Sequence, residues 1–485
     1  MLLSPTLLGK NWQPNEFDYF GQATHFLVDA QQIDAFASSK PELFRGLFMG
    51  FTRLLIELLG LDGAWAIERL LAWSGLALGL WCVMRSWGIA SVAGVLAVGG
   101  FLLRQTYFGG EWLVGGAESK VFAYMAILLA LAAWRSRAWG RVLLCWVIAS
   151  YLHFLVGGFW ALAMLGLVWL DPETRPNTTG LAWRYGLAMV PMLALLLVQE
   201  QSMLIRHALD AGSVSVNQIY SNIRNPHHVA PFLHGHFNWP LDGVIWCVLV
   251  MGGLNWVRQA TPAWRVLATW LMALHAYLLG AFVLAWFDRD TQLLGKFYLF
   301  RPASLIWLLS ALLLAHQVID KLMQCGFKRS VRALALVSVL WCVSDGAQGL
   351  AHEQLTAGLQ SRLTVDESAV VHWVKTSTPA NTVILVQEPS RHEHLHAMDF
   401  ELLTGRPTLV NWKFVPTTGD AVERWYRLNL LKRAAFAGDC DAARQLPVEM
   451  VITYTDTAAK AWRACGARPL FWRGGWQAWA WTPQA

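Results

Sequence analysis

The feature that most constrains this chain is a series of apolar segments, each close to the length that crosses a lipid bilayer. A transmembrane helix needs about 20 apolar residues. Only 14% of the 485 residues are charged, which excludes intrinsic disorder and a single water-soluble globule. The sequence therefore predicts an α-helical polytopic membrane protein with about ten or eleven transmembrane helices. The candidate spans lie near residues 64–84, 87–103, 119–134, 142–154, 155–170, 182–199, 241–257, 264–286, 303–318 and 331–344.

Two apolar stretches depart from simple spans. Residues 44–61 carry three charged side chains, so we expect an amphipathic helix at the membrane interface, with a span as the alternative. Residues 142–170 are too long for one ordinary span. We expect two short helices there, with Gly157 and Gly158 as the place to turn.

Lys and Arg residues orient the predicted spans, because cytoplasmic loops carry an excess of these residues. The net charge of +6 fits this distribution and, without a long basic run, predicts no nucleic-acid partner. Residues 1–344 then form a multi-span membrane domain, and residues 345–485 form an outward, periplasmic domain. The outward loops of the membrane domain are 1–44, 104–118, 200–240 and 287–302.

The C-terminal domain has a different pattern, in which short apolar strands alternate with helices. This pattern is typical of a small α/β domain. Cys440 and Cys465 both lie in it; an oxidising compartment favours a disulfide between them, while two free thiols are the alternative. The predicted elements are strands at 383–387, 408–412 and 449–454 and a long amphipathic helix at 419–436.

An acidic pair, Glu16 and Asp18, lies in the first outward loop. A carboxylate in that position could deprotonate an acceptor hydroxyl or help to hold a metal ion. The alternative is a solvated loop, or acids favoured by the dipole at the start of a helix.

The second outward loop reads FGGEWLVGGAESKVFAY and carries Glu111, Glu118 and Lys120. Lys120 could contact a phosphate, and the glycines permit close backbone approach. An ordinary loop with a snorkelling lysine is the alternative. His153, near the predicted turn of the two short helices, either faces a cavity or is a satisfied core histidine.

The third outward loop contains four histidines within ten residues, His227, His228, His234 and His236, beside Arg224. Imidazoles bind divalent metals or phosphate, and a guanidinium can bind phosphate through two parallel hydrogen bonds. The spacing matches no tetrahedral zinc signature. We therefore prefer a substrate-facing role for these residues over a metal site.

The fourth outward loop carries Lys296 and Arg301 just before a span, where the phosphate of a lipid would lie. Anchoring at the membrane interface is the alternative. The sequence has no nucleotide-binding glycine loop, serine-hydrolase elbow or zinc-protease motif. The absence of these motifs disfavours the interpretation of the chain as an ATP-driven pump, a dehydrogenase or a serine hydrolase.

The stretches GGAESKVFAY, YLHFLVGGFW, IRNPHH and GRPTLVNWKFVP, with the acidic pair and the C-terminal domain, resemble a poorly characterised bacterial branch of the GT-C glycosyltransferase superfamily. The resemblance implies a multi-pass protein of the bacterial inner membrane, whose partners are membrane lipids and a polyprenyl-phosphate sugar donor bound from the periplasmic side. The acceptor would belong to the periplasm or cell envelope, and displacement at the anomeric carbon would invert its configuration.

The same resemblance implies particular roles for several residues. Asp18 matches the catalytic position best, and Glu16 is the second choice. Arg224, Lys296 or Arg301 would stabilise the departing phosphate. Members of the superfamily often use a divalent cation, so Mg or Mn is the implied cofactor.

A non-enzymatic role is the alternative. The chain would then be a non-catalytic protein of GT-C-like fold, or a transporter or assembly protein for surface polysaccharide. A transporter predicts inverted repeats with broken helices in matching positions. We see no corresponding segments in the two halves, and intramembrane charge is sparse.

Overall fold

A computed structural model gives the fold of most of the chain. It describes residues 14–24, 45–109, 111–204, 214–232, 238–259, 261–334, 336–337, 339–340, 363–388, 397–413, 415–416 and 419–482. The longer helices before residue 345 in the described part of the chain are α1 (Pro14–Thr24), α2 (Gly46–Trp87), α3 (Ser91–Leu103), α4 (Ser119–Arg135), α5 (Trp139–Leu152), α6 (Phe154–Leu170), α7 (Thr178–Leu204), α8 (Trp239–Gln259), α9 (Pro262–Phe287) and α10 (Ala303–Gln324). Short helical turns lie at Val216–Gln218, Ile219–Arg224 and Pro226–Val229, the last of which carries His228.

Several of these helices have the length and composition of membrane spans. Among the described residues, five qualify, corresponding to α2, α7, α8, α9 and α10, while α3, α5 and α6 are shorter apolar helices. The most apolar windows of α7 and α8 are only 22% and 17% buried within the protein. Apolar surface exposed on this scale requires a lipid or protein partner. The prediction of a helical protein with apolar, membrane-compatible helices is thus confirmed, while the last candidate span, 331–344, lies partly outside the described residues.

Helix α2 joins the predicted interfacial helix to the first predicted span. Its 42 residues are interrupted at Gly60, whose φ of 72° and ψ of 174° are not helical. A glycine adopts this positive φ without the steric penalty of a side chain. On the segment before the break, Arg53 and Glu57 form an exposed pair one turn apart, with Nε and Oε1 2.7 Å from each other.

Helices α5 and α6 fold back on each other near the expected boundary between residues 142–154 and 155–170, but Gly157 and Gly158 do not form the turn. The break falls at His153, which has extended backbone angles, and the indole of Trp146 donates to the sulfur of Met164 3.3 Å away. Gly157 lies inside α6. A Cβ there would meet the backbone nitrogen of Ser150 at 2.2 Å, so the glycine permits close packing of α6 on α5.

Helix α4 is the central helix of the bundle. It packs against α2, α5 and α6, and small residues such as Ala123 and Ala130 let its neighbours approach until these side chains are fully buried. The first turn of α4 carries Lys120. The packing of α4 therefore fixes this lysine in place.

The C-terminal part contains a four-stranded mixed sheet. The strands β1 (Ile384–Val386) and β2 (Met450–Thr453) are parallel, and β4 (Trp476–Ala480) lies antiparallel between β2 and β3 (Arg468–Arg473). The helices around the sheet are α11 (Val365–Ser377), α12 (Ala397–Thr404), α13 (Gly419–Phe436), α14 (Cys440–Arg444) and α15 (Asp456–Ala464). The predicted small α/β region is thus present, and α13 has the predicted bounds.

The strand predicted at 408–412 does not form. Thr408 makes one parallel bridge with Ile384, and the chain then leaves the sheet. The carbonyl of Asn411 accepts a hydrogen bond from the indole of Trp425 at 2.8 Å, and the carbonyl of Val410 accepts one from Nζ of Lys432 at 3.3 Å. Side chains therefore take the backbone acceptors that a neighbouring strand would have used.

The C-terminal domain shares its core with the beginning of the chain. Phe20 of α1 and Ala64 of α2 belong to the same buried cluster as Val370 and Phe400. Cys440 and Cys465 are joined by a disulfide, with their Cα atoms 5.2 Å apart. Of the two alternatives left by the sequence, the structure thus has the disulfide.

Candidate functional site

The loop between α3 and α4 buries two acidic side chains. The side chain of Gln105 folds this loop, because its Oε1 accepts from the backbone amides of Leu113 and Val114 at 3.0 and 2.7 Å. Glu111 and Glu118 are 4% and 1% exposed. Carboxylates this deeply buried need cationic or hydrogen-bonding partners, and the surrounding elements supply them.

Glu111 receives partners from three separate parts of the chain. Its Oε1 lies 2.9 Å from Nε of Arg301 and 3.5 Å from Nδ1 of His228. Its Oε2 lies 3.0 Å from Nζ of Lys120. Arg301 is 190 positions away from Glu111 in the sequence, and the loop, α4 and the segment before α10 meet at this point.

Arg301 is held from several sides. Its Nη1 lies 3.0 Å from Nε2 of His153, and the guanidinium carbon lies 4.1 Å from the ring centre of Tyr298. The hydroxyl of Tyr124 donates to the backbone carbonyl of Arg301 at 3.0 Å. Nη2 has no partner among the described residues, which leaves one end of the guanidinium available to a ligand.

Lys120 bridges the two buried carboxylates. Its Nζ lies 3.2 Å from Oε2 of Glu118, in addition to its contact with Glu111, and 4.1 Å from the ring centre of Trp112. The second oxygen of Glu118, Oε1, is buried and accepts no hydrogen bond from the described part of the chain. We call the set Glu111, Glu118, Lys120, His153, His228 and Arg301 the Glu111 cluster.

The surroundings shift the protonation of the cluster members in different directions. Burial alone would raise the pKa of Glu111, but Arg301 and Lys120 outweigh it and hold that pKa well below its usual range. Burial raises the pKa of Glu118, and Lys120 offsets this only in part. Burial also lowers the pKa of His228 well below its usual range, against the pull of Glu111. Glu111 is therefore ionised at neutral pH and His228 is neutral.

The predicted catalytic pair has a different environment. Glu16 forms a buried ion pair with Arg69, whose Nη2 lies 2.5 Å from its Oε2. The amide of Ala117 donates to Glu16 Oε1 at 2.6 Å, and the indole of Trp65 donates to Oε2 at 3.2 Å. These contacts tie α1 to α2 and to the loop before α4. The side chain of Asp18 lies outside the described residues, so its catalytic role stays a prediction.

The other predicted phosphate-binding residues lie at or beyond the edge of the cluster. The ring of His227 lies 3.9 Å from that of His228. Arg224 donates to the backbone carbonyl of Lys413 in the C-terminal domain. Lys296 lies 5.5 Å from the ring centre of Phe297 and is not a partner of Glu111. Their roles in substrate binding stay predictions.

A metal site is not assembled by the part of the chain that the structure describes. No group of three His, Cys, Asp or Glu side chains within metal-binding reach is found there. The Glu111 carboxylate is already shared by Lys120 and Arg301, so it is poorly suited to hold a cation as well. His234 and His236 lie outside the described residues. The implied Mg or Mn therefore stays a prediction.

Glu111 was named from the sequence with Glu118 and Lys120 but was given no role in the site, and its position in the same glycine-rich loop was the available signal. Tyr298 was not singled out, although it has a positive φ of 50° and places its ring against Arg301. Strained backbone of this kind is enriched at functional sites, but no sequence pattern indicates it here.

Comparison with known proteins gives limited information. Residues 365–429 match a family described as a domain of unknown function, DUF6798. The match covers α11, α12 and part of α13 and includes the segment that Arg224 contacts. No curated protein gives a significant match.

Proposed function

We propose that this chain is a membrane glycosyltransferase that moves a sugar from a polyprenyl-phosphate donor to an acceptor of the periplasm or cell envelope. The observation that carries the proposal is the Glu111 cluster, in which Lys120, Arg301 and the imidazole of His228 converge on buried carboxylates. The imidazole of His153 contacts Arg301. Cations beside a carboxylate suit a reaction in which a phosphate departs while a hydroxyl loses its proton.

The place of the cluster in the chain supports this proposal. Its members come from loop 104–118, the α5–α6 turn at His153, loop 200–240 and loop 287–302. These are the segments that the distribution of Lys and Arg predicts on one side of a bacterial inner membrane. A donor whose phosphate lies at the lipid surface would meet the cluster at the ends of the apolar helices.

The cations of the cluster have capacity left for a phosphate. Arg301 uses Nε and Nη1 for Glu111 and His153, and its Nη2 has no partner among described residues. The lysine ammonium has three donors, and two of them face Glu111 and Glu118. In the proposed reaction, these two groups stabilise the charge that develops on the departing phosphate.

The geometry also offers a proton acceptor besides Asp18. Glu118 has one buried carboxylate oxygen, Oε1, to which no described group donates a hydrogen bond of ordinary geometry, although the side chain of Asn15 lies close enough to oppose the rise in pKa of this carboxyl. Burial raises the pKa of this carboxyl, and a raised pKa brings a carboxylate closer to the range of an effective base. Glu16 is less suited to this role because Arg69, Trp65 and the Ala117 amide already engage its carboxylate.

Sugar transfer by the purified full chain in lipid nanodiscs tests the proposal. Polyprenyl-phosphate sugars with a radiolabelled sugar would be offered together with an envelope extract as the source of acceptor. We expect Arg301→Gln to lower kcat/KM by about a hundredfold or more, the effect of removing one donor from a developing anion. Arg137→Gln, which breaks an exposed pair with Glu173, is the matched control and should stay within about twofold.

Thermal unfolding of the same preparations separates chemistry from folding. Arg301→Gln with normal unfolding and normal transfer would contradict the proposed role. Absence of transfer by the wild-type chain with every donor of the panel would contradict the proposed function itself.

A second candidate is a non-catalytic protein for the transport or assembly of surface polysaccharide. The observation that favours it is the close pairing of Glu16 and Glu111 with buried cations, which also suits a purely structural role. This candidate predicts binding of a lipid phosphate without transfer of the sugar.

A further inference from the structure

Helix α10 contacts the loop between α3 and α4 at two backbone carbonyls. The hydroxyl of Ser304 donates to the carbonyl oxygen of Glu111 at 2.9 Å, and the indole of Trp307 donates to that of Arg104 at 3.0 Å. Ser304 and Trp307 are three positions apart, so both side chains lie on the same face of α10. This face therefore holds both ends of the stretch from Arg104 to Glu111.

A third contact holds the middle of this stretch through His275 of α9. Its Nδ1 lies 3.4 Å from the hydroxyl of Tyr107, and its Nε2 lies 3.0 Å from the hydroxyl of Ser310. Ser310 is three positions after Trp307 and extends the same face of α10. A neutral imidazole donates through one ring nitrogen and accepts through the other, so it can bond both hydroxyls. Tyr107 is thereby connected to α10 as well.

The stretch contains backbone that needs such support. Phe108 has a φ of 49°, and Gly109 has a φ of 140°. A residue with a side chain rarely adopts a positive φ, and this conformation persists where surrounding contacts fix it. The ring centre of Phe108 lies 4.6 Å from that of Tyr107 and 5.3 Å from that of Phe282. The conformation of the stretch thus depends on tertiary contacts, and α10 supplies contacts on both sides of Phe108.

The hydrogen bond of Ser304 differs from that of most serines inside helices. Such hydroxyls commonly bond to a carbonyl of the preceding turn, as the hydroxyl of Ser150 in α5 does with the carbonyl of Trp146 at 2.8 Å. Ser304 is buried to a similar degree, with 1% exposure against 0% for Ser150, but it donates to a different part of the chain. Because Glu111 is also buried, water does not readily replace this donor.

The docked loop places the carboxylate of Glu111 in the Glu111 cluster. Its Oε1 lies 2.9 Å from Nε of Arg301, which stands three positions before Ser304. One short segment of the chain therefore binds both the carbonyl and the carboxylate of the same residue. The other oxygen, Oε2, lies 3.0 Å from Nζ of Lys120. A displacement of the loop would withdraw the counter-charge that these two cations share.

We propose that Ser304 and Trp307 are positioning residues, which dock the loop between α3 and α4 on α10 and thereby hold Glu111 against Arg301 and Lys120. Both residues act on the reaction through Glu111 and its two cations. Their effect on sugar transfer rests on the proposed function, whereas the docking of the loop rests on the hydrogen bonds of α10.

Hydrogen–deuterium exchange of the full chain in nanodiscs tests the docking without requiring sugar transfer. We expect Ser304→Ala to raise exchange at the backbone amides of residues 104–118 by about tenfold, the effect of leaving one buried acceptor unpaired on a local opening equilibrium. Exchange in strand β2 should stay at the wild-type rate. Trp307→Phe, which keeps an aromatic ring but removes the donor, should have the same local effect.

The matched control is Ser150→Ala. It also removes a buried serine hydroxyl from an apolar helix, but the partners of this hydroxyl are Trp146 and Tyr185. Exchange in residues 104–118 should therefore stay at the wild-type rate. The double variant of Ser304→Ala and Trp307→Phe should raise exchange by less than the product of the two single effects, because both changes release the same loop.

Sugar transfer by the same variants separates positioning from general stability. Ser304→Ala should lower kcat by about tenfold and leave KM within about twofold, because the cations that Glu111 aligns stabilise charge that develops as the phosphate departs. A uniform rise of exchange over the whole chain would overturn the inference, and so would a local rise with unchanged kcat.

Two outcomes distinguish this inference from the proposed function. Wild-type exchange of residues 104–118 in both Ser304→Ala and Trp307→Phe would overturn the inference, even if the wild-type chain transfers sugar. A local rise of exchange in a chain that transfers no sugar would uphold the docking of Glu111 by α10 and contradict the proposed function.

Discussion

The buried pair of Glu16 and Arg69 leads to a prediction about stability that also decides between two roles for Glu16. Both side chains are almost completely buried, at 0% and 2% exposure. Glu16 accepts from Nε and Nη2 of Arg69 at 2.7 and 2.5 Å, and from the amide of Ala117 and the indole of Trp65. Glu16→Gln keeps the shape but removes the carboxylate charge that contacts the guanidinium of Arg69.

The expected cost follows from this burial. Removing one partner of a buried ion pair costs about 3 to 5 kcal/mol, because the other charge remains in a low-dielectric environment. The exposed pair of Arg53 and Glu57 has 30% and 56% exposed side chains, and such pairs contribute about 0.3 to 0.5 kcal/mol. Glu57→Gln is therefore the matched control. Replacing both members, Glu16→Gln with Arg69→Met, should recover most of the loss, since no unpaired charge remains.

The assay is unfolding of the purified full chain in detergent micelles, followed by tryptophan fluorescence. Glu16→Gln should lower the free energy of unfolding by about 3 kcal/mol or more, while Glu57→Gln should change it by less than about 0.5 kcal/mol. Any loss of sugar transfer in Glu16→Gln should follow the loss of folded protein. Unchanged unfolding together with abolished transfer would refute the structural role and restore Glu16 as a catalytic residue.

Three further predictions concern other parts of the fold. Replacing Cys440 and Cys465 by serine opens a loop whose ends are 25 residues apart and should cost about 3.5 kcal/mol on the chain-entropy estimate; denaturant unfolding that matches the wild type would contradict it. Gly157→Leu should lower the yield of folded protein severely, because a Cβ there meets the backbone of α5 at 2.2 Å. Gly158→Ala should fold normally, because the nearest atom to a Cβ at that position is 4.0 Å away. Gel filtration of the two variants would establish the difference. Glu111, whose pKa is lower in the folded chain, should contribute fully to the free energy of unfolding above its unfolded pKa of about 4.3, and this contribution should be lost as the pH falls toward the folded pKa. Free energies of unfolding from pH 8 to pH 3, with Glu111→Gln alongside, would measure it. A loss of stability already between pH 7 and pH 5 that Glu111→Gln abolishes would contradict it.

The helices were largely predictable from the sequence because apolar composition and length identify a buried or lipid-facing helix directly. The predicted amphipathic helix at 419–436 coincides with α13. The boundary between α5 and α6 was predicted within two residues, but the residue that forms the break was not, because a continuous apolar run does not indicate where it bends. Gly157 has a packing role there, and His153 forms the break.

The site was only partly predictable, for a different reason. Lys120, His153, His228 and Arg301 were singled out separately, each from its own loop, but spacing along the chain cannot show that they share Glu111. The missing strand at 408–412 has a similar origin. Its β-rich composition suits a strand, yet Trp425 and Lys432 donate to its carbonyls at Asn411 and Val410, and such tertiary contacts override local propensity.

The most direct test of the central claim is an experimental structure of the full chain in lipid nanodiscs with a bound polyprenyl phosphate. We expect oxygens of the phosphate to lie within hydrogen-bonding distance of Nη2 of Arg301 and Nζ of Lys120, about 2.7 to 3.2 Å from each. Glu111 should remain paired with both cations. A phosphate bound elsewhere in the chain, with the Glu111 cluster unchanged and closed to it, would contradict the assignment of this cluster as the substrate site.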